Sequence, residues 1–211
     1  MDERSETETA RHVHWQQVYG TKQPSEVSWF QERPDVSLAL LATVALPPGA
    51  VIVDVGGGAS TLVDHLLASG NYAITVLDIS EAALRHAQTR LGRVADRVNW
   101  VAADITRWRP TSRVDLWHDR AVLHFLTYRQ DQLAYFDALR AAVKPGGWAL
   151  IAGFAPGGPP KCSGLEIVQH DAASLAEILG TEFSLVDVQD EAHQTPWGAA
   201  QAFRYHLFRR S

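Results

Sequence analysis

The chain has a single cysteine, Cys162. It can form no intramolecular disulfide, and a Cys-rich structural zinc site would lack its ligands. A reducing cytosol is the compartment expected. Long hydrophobic runs are missing as well. The longest, Leu38 to Leu46, is far too short to span a bilayer. The stretch Met1 to Thr9 alternates charged and hydroxyl residues and offers no apolar signal-peptide core, so neither membrane insertion nor secretion is expected. Positive charge is not in excess. Nineteen Lys and Arg stand against 24 Asp and Glu, a formal charge of -5, which gives no strong attraction for nucleic acid or an anionic membrane. Internal repeats and low-complexity tracts are absent too. What remains is 211 residues with 46% hydrophobic and 20% charged composition. That suits one folded domain with a sizeable core.

From Ala50 onward, short β-branched runs alternate with amphipathic stretches, the rhythm of βα units wound into a parallel sheet. Val51 to Val55 reads as a buried strand, ending in Gly56-Gly57-Gly58 before a helix with Leu62, Leu66 and Leu67. A second strand, Ala73 to Asp78, leads to a helix capped by Ser80, with Glu81 in its first turn and Leu84, Ala87 and Leu91 on one face. Val98 to Val101 runs into Ala103-Asp104-Ile105, and Val114 to His118 is a fourth strand. Helical spacing from Gln130 to Val143 is stopped by Lys144-Pro145-Gly146-Gly147 before a fifth strand, Trp148 to Phe154. Ala155 to Gly164 reads as a loop. It precedes a short helix, Ala172 to Leu179, and two strands around Phe183 to Val188 and Ala202 to Phe208. Ahead of the core lie a helix with Trp15, Val18 and Tyr19, a turn-rich piece from Thr21 to Ser25, Ser28-Trp29-Phe30-Gln31, and a helix from Pro34 to Ala45. The expected layout is an N-terminal cap (1–49), a cofactor-binding core (50–154) and a substrate-side C-terminal part (155–211).

A tight glycine turn after a first strand lets backbone approach a ligand and aims the next helix N-terminus at it. Asp78 follows Gly58 by 20 residues, the spacing at which a carboxylate can accept hydrogen bonds from both ribose hydroxyls. The dinucleotide pattern wants a small residue where Thr61 stands, which disfavours a dehydrogenase. His118, Asp119, His124 and His193 are the candidate proton acceptors. His118-Asp119 ends the fourth strand, facing the cleft where ligands of such sheets bind. Cys162 belongs either to a substrate flap or to the inert thiols, with the surrounding loop favouring accessibility. A metal set of Cys162, His170 and His193 matches no common spacing, and no metal is expected. Trp197, in the connection His193 to Gly198, either closes the pocket or covers the core.

Val53-Asp54-Val55-Gly56-Gly57-Gly58-Ala59-Ser60 resembles the first motif of the class I S-adenosylmethionine-dependent methyltransferases. Leu77-Asp78-Ile79-Ser80 is similar to the family's ribose-binding strand end, Ala103-Asp104-Ile105 to its adenine-side loop, and Lys144-Pro145-Gly146-Gly147 to its turn before strand five. The resemblance covers roughly Ala50 to Phe154. It implies an α/β, doubly wound, Rossmann-like sheet of seven strands with the last antiparallel and helices on both faces, beneath an N-terminal helical cap. It implies Gly56 and Gly58 beside the methionine portion, Gly57 at the cofactor or else simply easing the turn, Asp78 on the ribose, Ile79 against adenine and Asp104 on the adenine amino group. It also implies that Ala103 and Ile105 bind the cofactor as part of that adenine-side loop. Asp54 is expected to order the glycine loop through backbone hydrogen bonds, and His118 to stand near the methyl group. Trp15 and Trp29, with Tyr19 and Phe30, resemble the aromatic cap of small-molecule thiol methyltransferases and of a group of small lysine methyltransferases.

The resemblance therefore implies an enzyme that moves a methyl group from S-adenosylmethionine to S, N or O of a small molecule and releases S-adenosylhomocysteine; a cytoplasmic monomer or homodimer is expected. Protein lysine methylation and a cofactor-binding non-enzyme are the alternatives. In-line transfer from a sulfonium asks mainly for alignment and a dry site, and for a base only if the nucleophile arrives protonated. His118-Asp119-Arg120-Ala121 stands where amino-adenine methylation would want an Asn/Asp-Pro-Pro-aromatic tetrad. Nucleic acid is not an expected substrate.

Overall fold

The structure is a computed structural model that describes residues 3–211, with side chains from residue 8. Helix α1 (Glu3–Thr21) and helix α2 (Asp35–Thr43) precede the sheet. Strand β1 (Val51–Val55) leads to α3 (Leu62–Ser69), β2 (Ala73–Asp78) to α4 (Glu81–Leu91), and β3 (Val98–Ala102) to β4 (Val114–Arg120). Helix α5 (Arg129–Ala142) feeds β5 (Val143–Phe154), a two-residue hairpin β6 (Lys161–Cys162) and β7 (Leu165–Glu166) follows, then α6 (Ala172–Leu179), β8 (Phe183–Gln194) and β9 (Ala200–Arg210). Among the described residues, no helix is long and apolar enough to cross a membrane.

Seven strands form one sheet in the order β3-β2-β1-β4-β5-β9-β8. The first five run parallel, and β9 is antiparallel to both β5 and β8. The doubly wound sheet with an antiparallel last strand agrees with the expectation from sequence. The chain steps from β1 outward through β2 and β3, then returns to lay β4 on the other side of β1. Such a reversal opens a crevice beyond the carboxyl ends of the strands.

Period-two alternation sends consecutive strand residues to opposite faces. Ile52, Leu116, Leu150 and Leu207 pack with Leu40, Leu62 and Leu66 on one face, whereas Val53, Trp117, Ile151 and Phe208 pack with Phe136 and Leu139 on the other. Because helices cover both faces, β1 and β4 are buried along nearly their whole length, and β4 carries Asp115, His118 and Asp119 into the interior as well. Ser80 caps α4 by accepting from Ala83 N, and Asp171 caps α6 by accepting from Ser174 N.

Three stretches differ from their sequence reading. The hairpin β8–β9 is longer than expected, and its outer strand is a sheet edge along which mostly exposed and half-buried side chains alternate. That strand also takes a register shift between Leu185 and Asp187. The stretch Ala155 to Gly164, read as loop, contributes β6. Strand β5 begins at Val143 and absorbs the Lys-Pro-Gly-Gly turn, with a pairing irregularity opposite Val114–Leu116.

Asp119 at the end of β4 is fully buried. It accepts from Val122 N at 2.7 Å, Leu123 N at 3.0 Å and the Tyr135 hydroxyl at 2.7 Å, and that hydroxyl accepts from Trp117 Nε1 at 3.0 Å. This carboxylate ties β4, the turn after it and α5 together. Tyr135→Phe removes one donor from a buried acid and one acceptor from a buried indole. The variant is expected to lose about 1–2 kcal/mol of stability, read as a lower urea midpoint with an unchanged slope.

Candidate functional site

The site begins where β1 ends. Gly56 has φ +69 and donates to the Leu77 carbonyl at 2.6 Å. A Cβ there would lie 2.0 Å from Val122 Cγ2, so both conformation and space demand glycine. At Gly57 a Cβ would meet Asp54 Oδ2 at 2.3 Å, and at Gly58 it would meet Ala83 Cβ and Asp78 Oδ2, each at 2.5 Å. The loop thus rests directly on two carboxylates. Gly57 does more than ease the turn: it leaves room for Asp54.

Beyond the strand ends lies a cavity of about 100 Å³. Its floor comes from Leu77, Asp78 and Ile79 after β2 and from Ala103, Asp104 and Ile105 after β3; its far wall comes from Arg120, Ala121, Val122 and Phe125 after β4. Arg11, Trp15 and Tyr19 of α1, with Trp29, complete it from the cap side. A second cavity of about 60 Å³ is lined by Gly56, Gly57, Thr61, His118, Phe30 and Gln31 among others. The two share Tyr19, Trp29, Val55, Gly56 and Arg120 as a common wall. Trp15 meets Trp29 and Phe125 edge to face at 5.6 and 4.8 Å, and Trp29 Nε1 donates to the Tyr19 hydroxyl at 3.0 Å. Burial raises that hydroxyl well above its ordinary value and keeps it protonated.

Asp78 accepts from Gly58 N on one oxygen at 3.1 Å and from Ser80 N on the other at 2.8 Å. Burial outweighs these bonds and lifts its carboxyl to about 6. Asp104 is busier. One oxygen accepts from Thr106 N and Oγ1 at 2.8 and 2.7 Å, and the other takes Arg11 Nη2 at 2.8 Å and Nε at 3.2 Å. Arg11 also reaches Asp131 at 2.6 Å. Ser80 Oγ and Ala82 N both donate to Gln16 Oε1, at 2.8 and 3.2 Å. Together these bonds lay α1 across the cavity. Nothing local in the sequence marks Arg11, which meets its partners 93 and 120 residues away. Arg120 and Phe125 were missed as lining residues for the same reason.

Several expected roles are not met. His118 lines only the smaller cavity, with Nδ1 2.7 Å from Asp54 Oδ1 and Nε2 2.9 Å from Ser37 Oγ, so both ring nitrogens are engaged. Asp54 spends its hydrogen bond on that ring instead of the glycine-loop backbone, and its Oδ2 has no partner among the described residues. Gly58 lines neither cavity and acts through Asp78. Asp119 is the structural cap described above and faces no cavity at the site. His124 points away, toward Gly153 and Phe154, into a separate small cavity with His170 and His206. Burial beside the Arg120 charge drives its pKa down to about 3, which leaves it neutral. His193 sits within β8 and donates from Nε2 to the Ser28 carbonyl at 2.7 Å, pinning the cap segment to the sheet. Cys162 is buried in the main cavity wall, and desolvation pushes its thiol up to about 12. It is an inert thiol and not an accessible one. Trp197 is 63% exposed and lines neither cavity. Cys162, His170 and His193 lie in three different surroundings, and among the described residues no three ligands stand close enough to hold a metal.

A methyltransferase-domain family model matches residues 53–149. Trans-aconitate 2-methyltransferase of Azoarcus sp. (strain BH72) is 32% identical over 117 residues, 55% of this chain and 44% of that protein. The match therefore spans less than half of that relative. Thiocyanate methyltransferase 1 of Arabidopsis thaliana is 30% identical over 165 residues, 74% of this chain and 68% of that one. The fold is shared with the Burkholderia thailandensis 1,6-didemethyltoxoflavin-N1-methyltransferase, solved with 1,6-didemethyltoxoflavin and S-adenosylhomocysteine bound. The TM-score is 0.68 at 21% identity, over 99% of this chain and 87% of that one.

His118→Ala strands the Asp54 carboxylate in the core without its partner and is expected to cost about 3–5 kcal/mol. Ser37→Ala leaves that pair intact and should cost about 1–2 kcal/mol. Thermal melting of the two variants distinguishes a structural clamp from a loosely held imidazole, for which the two losses would be alike.

Proposed function

Since this chain belongs to the class I S-adenosylmethionine-dependent methyltransferase family, we propose that it transfers the methyl group of S-adenosylmethionine to a nucleophilic atom of a small molecule and releases S-adenosylhomocysteine. The observation that carries this reading is Asp78, which lines the main cavity beside the glycine loop. Each of its oxygens accepts one of the two backbone hydrogen bonds and keeps capacity for one more donor, the demand of a ribose diol. Ile79, Ala103 and Ile105 offer the apolar surface that suits an adenine ring. Gly56 and Gly57, without Cβ atoms, open backbone to the methionyl portion, with Asp54 and His118 holding the loop from beneath. Trp15 and Trp29 cover the site from the cap. Asp104 reaches the adenine amino group only when Arg11 gives up part of its hold on that carboxylate.

When bound, the cofactor supplies an electrophilic methyl carbon, whose bond to sulfur breaks with its electron pair staying on sulfur as the acceptor's lone pair forms the new bond. The protein's own contribution is alignment and exclusion of water. His118 acts as a positioning residue in this reading, since both of its nitrogens are held. A cavity this size beneath an aromatic cap favours a compact acceptor over a protein lysine. The relatives are named for small acceptors: trans-aconitate, thiocyanate and 1,6-didemethyltoxoflavin.

Calorimetric titration with S-adenosylmethionine and S-adenosylhomocysteine tests the reading, with NAD as control. Micromolar binding of the first two and none of NAD is expected; no binding of either would defeat it. Asp78→Ala should weaken S-adenosylhomocysteine by roughly 2–4 kcal/mol if both ribose bonds are charge-assisted.

The raised carboxyl of Asp78 also sets a pH dependence. The native state holds this proton more tightly than the unfolded chain, whose carboxyl titrates near about 3.9. Its stabilising share is therefore complete below that value and lost as pH rises through about 6. Cofactor affinity should run the other way, rising through the same interval as the carboxylate ionises. Asp78→Asn should flatten that rise in a titration series from pH 5 to pH 8.

A further inference from the structure

Resting on the reading above, we infer that Arg120 is the counter-charge for a compact anionic methyl acceptor, which enters the cavity already deprotonated as a carboxylate or an anion of similar size. Arg120 is the last residue of β4 and belongs to the wall common to both cavities. Its guanidinium is fixed on one side only. Nε donates to the Tyr205 hydroxyl at 2.8 Å, Nη1 to the Trp29 carbonyl at 3.0 Å, and the plane lies 4.2 Å over the Phe203 ring. Among the described residues, Nη2 is buried with no hydrogen-bond partner. The nearest carboxylate, Glu191, stands 3.6 Å away, beyond hydrogen-bond reach, and its oxygens already accept from Tyr205 and Gln31, each at 2.6 Å. A guanidinium held so rigidly, with Nη2 uncommitted in a desolvated wall, keeps a charge-assisted donor for an anion.

A second observation leads to the same class of acceptor. Among the described residues, the main cavity has no free general base. Tyr19 and Cys162 are held protonated by burial, Asp104 is saturated by Arg11 and Thr106, and Asp78 is committed to the ribose in the proposed reading. His118, Asp119 and His124 do not line it. An acceptor that arrives protonated would find nothing to take its proton, and an anion has none to give.

The test uses the full chain saturated with S-adenosylhomocysteine and titrates benzoate against benzamide, a pair of near-equal shape that differs in charge, at constant ionic strength. Benzoate is expected to bind wild type about tenfold more tightly than benzamide. Arg120→Gln should erase that preference, Arg120→Lys should restore part of it, and S-adenosylhomocysteine affinity should stay within about threefold in both. Equal binding of the two probes by wild type overturns the inference. So does a preference that survives in Arg120→Gln. A loss of S-adenosylhomocysteine affinity in Arg120→Gln, with the probe preference intact, would assign the guanidinium to the methionyl carboxylate instead. Should wild type fail to bind S-adenosylhomocysteine, the methyltransferase reading falls, and the same probe pair titrated into the protein alone still decides whether Arg120 seats an anion. If Arg120→Gln does not fold, as judged by circular dichroism, Arg120→Lys against wild type carries the comparison.

Discussion

The arrangement depends on one close approach: the loop after β1 passes so near the carboxylates of Asp54 and Asp78 that no side chain fits at Gly57 or Gly58. Below the loop, Asp54 is tied to His118 on β4 and through it to Ser37 on α2. Beside it, Asp78 accepts the Gly58 amide and closes the end of β2. The loop is therefore positioned by three elements at once, and the cavity wall inherits that rigidity. A methyl group added anywhere along it would push a buried carboxylate or Val122 aside, and close-packed interiors do not absorb such shifts cheaply.

Four carboxylates stand near the carboxyl ends of the central strands, and their surroundings give each a different task. Asp54 holds an imidazole, Asp119 caps a turn and holds Tyr135, Asp104 holds an arginine of the cap, and Asp78 retains open acceptor capacity at the cavity. Burial raises the carboxyls of both Asp78 and Asp119 to about 6. Only Asp78 has that property at a surface a ligand can reach. Perturbed titration marks a functional group only when geometry supplies access as well.

The cap completes the site with side chains that share no sequence neighbourhood with it. Arg11 bridges Asp104 and Asp131, Gln16 binds the start of α4, and Trp15, Tyr19 and Trp29 interlock edge to face above the cavity. These are long-range polar contacts between preformed surfaces. They enclose a space in which a charge interacts far more strongly than it would in water. On the opposite wall, Arg120 is backed by β9 through Tyr205 and Phe203 and by the long pair to Glu191 of β8. The antiparallel hairpin thereby orients a group at the site while lying outside the parallel core.

Much was legible in the chain itself, because the relevant signals are local. The alternating βα rhythm, the glycine turn, the Ser80 cap and the 20-residue step from Gly58 to Asp78 are properties of short segments. The parallel core and Asp78 followed from them, and the family resemblance added the antiparallel last strand and Ile79, Ala103, Asp104 and Ile105, which line the cavity. The functions of His118, Asp119 and His124 were not legible. His118 and Asp119 lie at the end of β4 and His124 follows it closely, yet one ring is clamped between Asp54 and Ser37, one carboxylate is turned under α5, and one imidazole faces a separate cavity. Which way a side chain turns at a strand end depends on partners tens of residues away, and sequence spacing carries no record of them. Arg11 and Arg120 are the sharpest cases: as sequence they are ordinary charged residues. Only the packing of α1 and β9 against the strand ends makes one of them a latch on Asp104 and leaves the other, in the wall of the cavity, with a donor unpaired among the described residues.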